Sequence, residues 1–249
     1  MAQHDAFDRA RRDFLRLGAG AALFAAARPL AAMAQSAGSS AIKIGVIGSG
    51  RLGGTVGSLW VKTGHPVLFS SRKPEELKGL VEGLGALARA GTVAEAIAFG
   101  DALLVAIPYG ALPQLGRDYG ASLAGKIVLD ACNAIASRDG DIANEAKEKG
   151  VGLTSAKYLP GTRLVRAFNM LSYTVLARDA HRAGAAVAIP IASDDAEALK
   201  AASMLVRDAG FDPVVVGGLA RASDFATGTP VYLQELTAPE MRQRLSVAE

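Results

Sequence analysis

Residues 42–53 read Ile-Lys-Ile-Gly-Val-Ile-Gly-Ser-Gly-Arg-Leu-Gly. An apolar run ends at Ile47 and passes directly into a Gly-x-Gly-x-x-Gly motif, after which a helical pattern of residues follows. This order of strand, tight turn and helix is the context in which the motif indicates a dinucleotide-binding site. We predict that Gly48 permits the turn, that Gly50 lets the backbone approach a pyrophosphate, and that Gly53 lets the helix pack closely on the strand.

The remaining residues of this loop complete the predicted cofactor-binding segment: Ser49, Arg51 and Leu52. The pyrophosphate would lie on the free N–H groups at the helix N-terminus, where the helix dipole also favours negative charge. Arg51 either adds a phosphate contact or points into solvent, and both alternatives stay open.

The end of the next predicted strand indicates which nucleotide binds. An NAD site usually offers Asp or Glu to the ribose 2′-hydroxyl about 20 residues after the glycines. Here the strand ends without a carboxyl group, in Ser70, Ser71, Arg72 and Lys73. Hydroxyl and guanidinium groups bind a 2′-phosphate through charge-assisted hydrogen bonds, whereas a carboxylate would repel it. The sequence therefore predicts NADP(H) rather than NAD(H); the alternative is a solvated basic turn.

The N-terminal segment has the three parts of an export signal: a charged region, a short apolar region and a small-residue site. Arg11 and Arg12 precede an apolar run over residues 17–27, and residues 32–34 read Ala-Met-Ala. Paired arginines followed by Phe-Leu resemble a twin-arginine signal, which a receptor reads as an address. The apolar run is shorter than the about 20 residues that span a bilayer. We expect a signal peptide over residues 1–34, a periplasmic location reached through the twin-arginine export machinery, and no stable membrane anchoring.

The charge of the remaining chain is nearly balanced. Without residues 1–34 it has 22 basic and 21 acidic residues, against 27 and 24 in the whole sequence. Nothing in this balance indicates nucleic acid as a partner, and we expect none. The roughly 215 residues that remain suit one large domain, or one domain with a small appendage. Cys132 is the single cysteine, so an internal disulfide is excluded.

Apolar strands alternate with helical segments along the rest of the chain. A continuous apolar run such as residues 102–107 is typical of a strand buried on both faces, and Thr92 with Glu95 has the pattern of a capping box. The alternation predicts an α/β fold of the Rossmann type, with a doubly wound, mainly parallel sheet and a small C-terminal helical portion. Further strands are predicted at 87–90, 126–130, 164–168, 186–191 and 213–216, and helices at 75–87, 112–119 and 194–209.

Polar and turn-forming residues follow three of these strands. Ligands of such sheets bind beyond the carboxyl ends of the strands, so we predict that these residues border a nicotinamide pocket. Asn133 has both a donor and an acceptor for the carboxamide or ribose. The alternative for each residue is a structural turn. The residues are Ile107, Pro108 and Tyr109 after one strand, Asn133 after the next and Asn169 after the third.

No catalytic residue is identified from the sequence, and no spacing of His, Cys or carboxylates suggests a metal site. Cys132 has no neighbouring base that would lower the pKa of its thiol, and Asp130 is expected to organise its loop. Hydride transfer to a flavin-like acceptor can rely on positioning, whereas reduction of a ketone normally requires a proton donor. Because no proton donor is identified from the sequence, we favour hydride transfer between two cofactors over reduction of a ketone.

The chain from Ile42 to Met170 resembles the NADP-dependent oxidoreductases grouped with coenzyme F420 (deazaflavin) reductases. The resemblance implies an NADP-binding Rossmann domain over residues 42–175 and hydride exchange between NADPH and a flavin- or deazaflavin-like acceptor. Residues 35–41 would then be a linker, and residues 176–249 an α/β continuation on the acceptor side. The matching stretches are I-G-V-I-G-S-G-R-L-G at 44–53, F-S-S-R at 69–72, V-A-I-P-Y at 105–109, V-L-D-A-C-N at 128–133 and V-R-A-F-N at 165–169.

Two other functions stay open. One is a reductase of a small imine or carbonyl substrate, and the other is a non-catalytic NADP-binding module that senses redox state. Near the C-terminus, residues 228–232 are expected to fold back over the cofactor edge of the sheet. An extended apolar segment over residues 231–236 makes a homodimer a reasonable expectation.

Overall fold

The computed structural model describes residues 41–248. The predicted signal peptide over 1–34 and the linker up to residue 40 lie outside these residues. Eight strands of the described chain form one sheet. They are β1 (Ile44–Ile47), β2 (Val67–Ser70), β3 (Ala88–Gly91), β4 (Ala102–Val105), β5 (Ile127–Asp130), β6 (Arg163–Arg166), β7 (Ala188–Ala192) and β8 (Asp212–Gly217).

The strand order is β3-β2-β1-β4-β5-β6-β7-β8. Strands β1 to β6 are all parallel to one another. β7 is antiparallel to β6, to which it pairs through Arg166 and Ala192, and β8 is parallel to β7. The strand order reverses between β1 and β4, and such a switch point opens a crevice at the carboxyl ends of the strands. The predicted doubly wound, mainly parallel fold is confirmed, and its C-terminal portion contributes two strands as well as helices.

Helices connect the strands. The predicted helix over 75–87 is wrong in its bounds, because Gly85 with φ +83° ends it early and a 3-10 helix forms its first turn. The Thr92–Glu95 capping box is confirmed. The α-helices are α1 (Arg51–Lys62), α2 (Lys78–Leu84), α3 (Val93–Phe99), α4 (Leu112–Leu123), α5 (Ala136–Asp139), α6 (Asp141–Lys149), α7 (Val151–Tyr158), α8 (Tyr173–Asp179), α9 (Ala196–Asp208) and α10 (Ala238–Leu245), with 3-10 helices at Pro74–Leu77, Tyr109–Ala111 and Leu219–Phe225.

Trp60 joins α1 to the C-terminal portion. Its ring is fully buried, and its indole N–H donates to the carbonyl oxygen of Leu205 on α9 at 2.7 Å. The ring of Phe168, which follows β6, stands edge-on to it with 5.8 Å between ring centroids. The aromatic contact and the hydrogen bond therefore tie the glycine-loop helix to the last third of the chain.

The segment after residue 228 lies at the carboxyl end of β6, as predicted. The backbone N–H of Leu233 donates to the carbonyl oxygen of Met170 at 3.0 Å. The prediction that residues 231–236 are extended is wrong for the first three, which form a turn with Val231 buried and Leu233 at φ +63°. An extended strand would carry the chain away from the sheet, whereas this turn lets Val231 pack in the hydrophobic core.

Two glycines of α1 provide a matched test of how closely this helix lies on the sheet. A Cβ at Gly57 would clash with the ring of Phe69 on β2, whereas a Cβ at Gly54 would meet its nearest atom at 3.5 Å. We expect Gly57→Ala to lower the free energy of unfolding by about 1–3 kcal/mol through overpacking. Gly54→Ala should raise it by about 0.5–1 kcal/mol, because Ala favours the helix. Urea unfolding measures both, and equal effects would contradict the packing described.

Candidate functional site

The glycine loop joins β1 to α1 by a close approach of backbone to backbone. Gly48 has φ +93°, and a Cβ there would lie 2.6 Å from the carbonyl oxygen of Ala106 on the neighbouring strand end. A Cβ at Gly53 would clash with the carbonyl oxygen of Gly48. At Gly50 an added Cβ would have no atom within 4 Å. The lack of a side chain at Gly48 and Gly53 therefore lets the loop close. Gly50 faces open space in which a phosphate would fit.

The N-terminus of α1 faces the same space. Gly50 is its N-cap and supplies no side chain, and the first turn contains no acidic residue. The first N–H groups of a helix lack partners within the helix, so this end is suited to an anion. Ser49 donates its backbone N–H to the Ser70 carbonyl oxygen at 3.0 Å. Its hydroxyl oxygen is buried without a hydrogen-bond partner among the described residues.

The side chains of Arg51 and Leu52 point in different directions. Arg51 is exposed, and its guanidinium carbon lies 5.5 Å from the ring centroid of Tyr173, the first residue of α8. Leu52 is half-buried against the hydrophobic core. The position of Arg51 agrees with either a phosphate contact or exposure to solvent, whereas Leu52 can serve a cofactor through its backbone alone.

The tip of β2 divides into one buried and three accessible residues. Ser70 is fully buried, and its hydroxyl donates to the Val46 carbonyl oxygen at 2.8 Å. The prediction that the Ser70 side chain contacts the cofactor is therefore wrong. Ser71 is half-buried, and its hydroxyl oxygen accepts the backbone N–H of Lys73 at 3.1 Å. The Lys73 ammonium pairs with Glu76 at 2.9 Å. Arg72 is exposed and has no ion-pair partner in the described part of the chain.

The segment after β4 presents two residues to the site edge and buries a third. Ile107 is half-buried and Pro108 is exposed. Tyr109 is fully buried, its hydroxyl donates to the Val151 carbonyl oxygen at 2.8 Å, and the Ser155 hydroxyl donates to it at 3.1 Å. Burial raises the pKa of Tyr109. The expected pocket role of this side chain is wrong, because the tyrosine anchors α7 in the core.

The side chains of Asn133 and Asn169 both donate hydrogen bonds to backbone carbonyl oxygens. Asn133 is half-buried, and its amide N–H donates to the Asn169 carbonyl oxygen at 2.7 Å. Asn169 is 1% exposed, and its amide N–H donates to the Phe225 carbonyl oxygen at 3.2 Å. The Asn169 side chain thus joins the end of β6 to the C-terminal portion, and its amide oxygen has no hydrogen-bond partner among the described residues. Asn133 and Asn169 both stay predicted cofactor contacts.

Three charged residues around the loop after β5 were missed by the sequence reasoning. Arg166 at the end of β6 is fully buried beside Asp130. Arg138 donates to the Asn133 carbonyl oxygen at 2.6 Å, and the Asp139 carboxylate accepts the backbone N–H of Gly110 at 3.0 Å. A charge inside the apolar stretch V-R-A-F was the available signal for Arg166, since buried arginines are rare unless paired. The prediction that Asp130 organises its loop is confirmed, because its carboxylate accepts the Cys132 backbone N–H at 2.9 Å.

The described residues contain no group of three or more His, Cys, Asp or Glu side chains that could hold a metal ion. Within residues 41–248, no helix is both long and apolar enough to cross a membrane.

The first part of the described chain is similar to a known protein family. Residues 43–134 match the family model described as "NADP oxidoreductase coenzyme F420-dependent". This segment is therefore similar to NADP-dependent oxidoreductases. NADP is therefore its cofactor, and the prediction of NADP from the tip of β2 is confirmed at this level.

Other known proteins are similar to this chain in sequence or in fold. The chain is 29% identical over 192 residues to the metalloreductase STEAP3 of Rattus norvegicus, covering 73% of this chain and 35% of that protein, so it spans about a third of its relative's length. A hypothetical protein from Sinorhizobium meliloti has a TM-score of 0.66 at 25% identity, with 79% of this chain and 95% of that one covered. A putative F420-dependent NADP reductase from Arthrobacter sp. FB24 has a TM-score of 0.64 at 21% identity, covering 73% and 87% respectively.

The buried position of Cys132 predicts that its thiol is unreactive in the folded chain. The side chain is 2% exposed, its thiol lies 3.5 Å from the Val105 carbonyl oxygen, and burial together with the Asp130 charge raises the pKa of the thiol. At pH 8 the folded protein should therefore hold almost no thiolate, which is the reactive form. We expect an aromatic disulfide reagent to react with the native chain at less than about a tenth of its rate with the urea-unfolded chain. Equal rates would show an accessible thiol.

Proposed function

We propose that the chain is an NADP(H)-dependent oxidoreductase that transfers hydride between NADPH and a flavin- or deazaflavin-like acceptor. The proposal rests on the positions of two segments at one edge of the sheet. The uncapped N-terminus of α1 and the carboxylate-free tip of β2 lie at the same edge of the sheet, beside the switch point between β1 and β4. The first suits a pyrophosphate and the second suits a 2′-phosphate.

Each part of the edge would hold a different part of the cofactor. The backbone from Gly48 to Gly53 would receive the pyrophosphate, and Ser71 with Arg72 would hold the 2′-phosphate. Lys73 would lie beside them with its charge offset by its pair with Glu76. Ile107 and Pro108 would line the path along β4, and Asn133 would orient the nicotinamide through its amide. The bound cofactor supplies a hydride. The work of the chain is then to position it and to exclude water from the reacting face.

The choice of acceptor rests on the groups at this edge. Tyr109, the tyrosine nearest to the β4 end of the site in sequence, is buried and engaged with Val151 and Ser155. Cys132 is buried as well. Neither can donate a proton to a substrate from its position, which favours an acceptor that takes hydride directly onto an electron-poor ring. The family description of residues 43–134 names such an acceptor, coenzyme F420.

Reduction of a small imine is the second candidate. An imine reductase from Pseudomonas sp. has a TM-score of 0.51 at 20% identity, and a reductive aminase from Aspergillus terreus in complex with NADPH has 0.52 at 21% identity. At these identities the likeness is one of fold. The described chain covers 57% and 58% of those two proteins, and their reactions therefore enter only as substrates to test. A non-catalytic NADP-binding sensor is the third candidate, and lack of turnover with every acceptor would favour it.

We also propose that the chain is exported to the periplasm through the twin-arginine machinery and that it acts as a homodimer. Export rests on the pattern of residues 1–34. Dimer formation rests on the apolar segment over residues 231–236, in which Leu233 is 52% exposed. Periplasmic fractionation of a tagged chain, with Arg11 and Arg12 both changed to Lys as the control, tests the first proposal. Light scattering tests the second.

Reversal of charge at the β2 tip tests the cofactor assignment. Arg72→Glu should weaken NADPH binding by about 100-fold, since it removes a charge-assisted contact and adds a repelling carboxylate. NADH binding should change by less than about threefold. The matched control is Lys62→Glu, an equal change in net charge at the other end of α1. Titration of wild type and both variants, followed by nicotinamide fluorescence, measures all six affinities, and an equal loss for both nucleotides in Arg72→Glu would contradict the 2′-phosphate assignment.

Turnover separates the candidate functions. The purified chain should oxidise NADPH with a deazaflavin or with FMN faster than with cyclic imines, simple ketones or a ferric chelate. Anaerobic loss of absorbance at 340 nm measures each rate. Preference for an imine would select the second candidate, and absence of turnover with bound NADPH would select the sensor.

A further inference from the structure

The carboxyl ends of β5 and β6 hold an ion pair that is completely buried. The Arg166 guanidinium Nη1 and the Asp130 carboxylate Oδ2 are 2.5 Å apart, and both side chains are 0% exposed. The two residues are register partners on adjacent parallel strands. Burial of two charges is costly, and replacement of such pairs by apolar residues often leaves stability unchanged or improves it. Stability of the sheet alone therefore does not account for the pair.

The second contact of each partner falls on one peptide segment. The other carboxylate oxygen of Asp130 accepts the backbone N–H of Cys132 at 2.9 Å. The Arg166 Nη2 donates to the carbonyl oxygen of the same residue at 2.7 Å. The ion pair therefore binds both the backbone N–H and the backbone carbonyl of Cys132. These two contacts fix the orientation of the backbone at Cys132.

Asn133 is the residue that follows Cys132 in the chain. Its backbone follows the Cys132 carbonyl directly, and its side-chain amide is then steered to the Asn169 carbonyl oxygen at 2.7 Å. From the solvent side, Arg138 holds the Asn133 carbonyl oxygen at 2.6 Å. Asn133 is therefore clamped between a buried ion pair and a surface arginine, with its amide oxygen left for a ligand.

We infer that Arg166 and Asp130 are positioning residues of the oxidoreductase site: they set the loop after β5 so that Asn133 meets the nicotinamide ring. This inference rests on the proposed function, because it takes the end of β5 as the nicotinamide end of the cofactor. The pair touches neither cofactor nor acceptor. It acts through the backbone of Cys132, and its effect is confined to the nicotinamide half.

A second Arg–Asp pair on β6 provides a matched control. Arg163 binds the Asp195 carboxylate through two hydrogen bonds, at 2.7 and 2.9 Å. It lies at the start of the strand, whereas Arg166 lies at its carboxyl end. The Arg163–Asp195 pair is partly exposed and touches none of the predicted cofactor residues. Arg→Lys at each position keeps the charge but loses the planar fork that binds two acceptors at once.

The experiment compares wild type, Arg166→Lys and Arg163→Lys by three measurements. The affinity for 2′,5′-ADP reports the adenosine half of the site, the fluorescence enhancement of bound NADPH reports the nicotinamide half, and FMN-dependent NADPH oxidation reports hydride transfer. We expect Arg166→Lys to keep its 2′,5′-ADP affinity within about twofold, to lose most of the enhancement and to slow oxidation by about 100-fold, as a small misplacement of reacting groups does. Arg163→Lys should match wild type in all three.

A double variant guards against loss of folding. Asp130→Leu with Arg166→Met replaces the pair by apolar side chains, which typically retain the fold, yet it cannot hold the Cys132 backbone. It should fold and show the same selective loss. Unchanged enhancement and rate in either variant would overturn the inference, as would an equal loss of 2′,5′-ADP affinity or the failure of both variants to fold. Failure of wild type to bind NADPH would instead overturn the proposed function, and this inference with it.

Discussion

The close contact between Gly53 on α1 and the carbonyl oxygen of Gly48 is the constraint on which the remainder of the site depends. There is no room for a side chain at this point, so the helix starts directly against the end of β1. This contact places the uncapped N–H groups at the switch point between β1 and β4, where the sheet leaves a crevice. With a wider separation, the same N–H groups would face bulk water and their field on an anion would be screened.

The positive groups around this crevice have few negative side chains beside them. The first turn of α1 lacks an acidic residue, and Arg72 at the tip of β2 has no ion-pair partner within the described chain. By contrast, five other arginines of the described residues are ion-paired: Arg138, Arg163, Arg166, Arg178 and Arg221. An unpaired exposed cation next to open helix N–H groups attracts a multiply charged anion, and a 2′-phosphorylated dinucleotide carries its charges at both of these points.

The opposite half of the site is built differently. From β4 onward the strand ends present few free polar side chains, because Tyr109, Asn169 and Arg166 are turned inward and used for packing or backbone support. A site of this kind holds its ligand with loop backbone and one or two amides, and its accuracy depends on how firmly the loops are held. The contacts made by Asp130, Arg138 and Asp139 supply that firmness for the loops after β4 and β5. Such a construction suits hydride transfer, in which distance and orientation set the rate.

The sequence by itself determined the fold class, the glycine loop and the nucleotide, because each depends on local chemistry: strand and helix periodicity, backbone freedom at fixed spacing, and the absence of a carboxylate at one strand end. Only the tertiary structure decided which strand-end side chains face the crevice. Ser70, Tyr109 and Asn169 follow or end strands in the expected places, yet all three are buried, since their hydrogen-bond partners come from distant segments such as Val46, Val151 and Phe225. The Asp130–Arg166 pair was likewise hidden, because its partners lie 36 residues apart and meet only through the parallel register of β5 and β6.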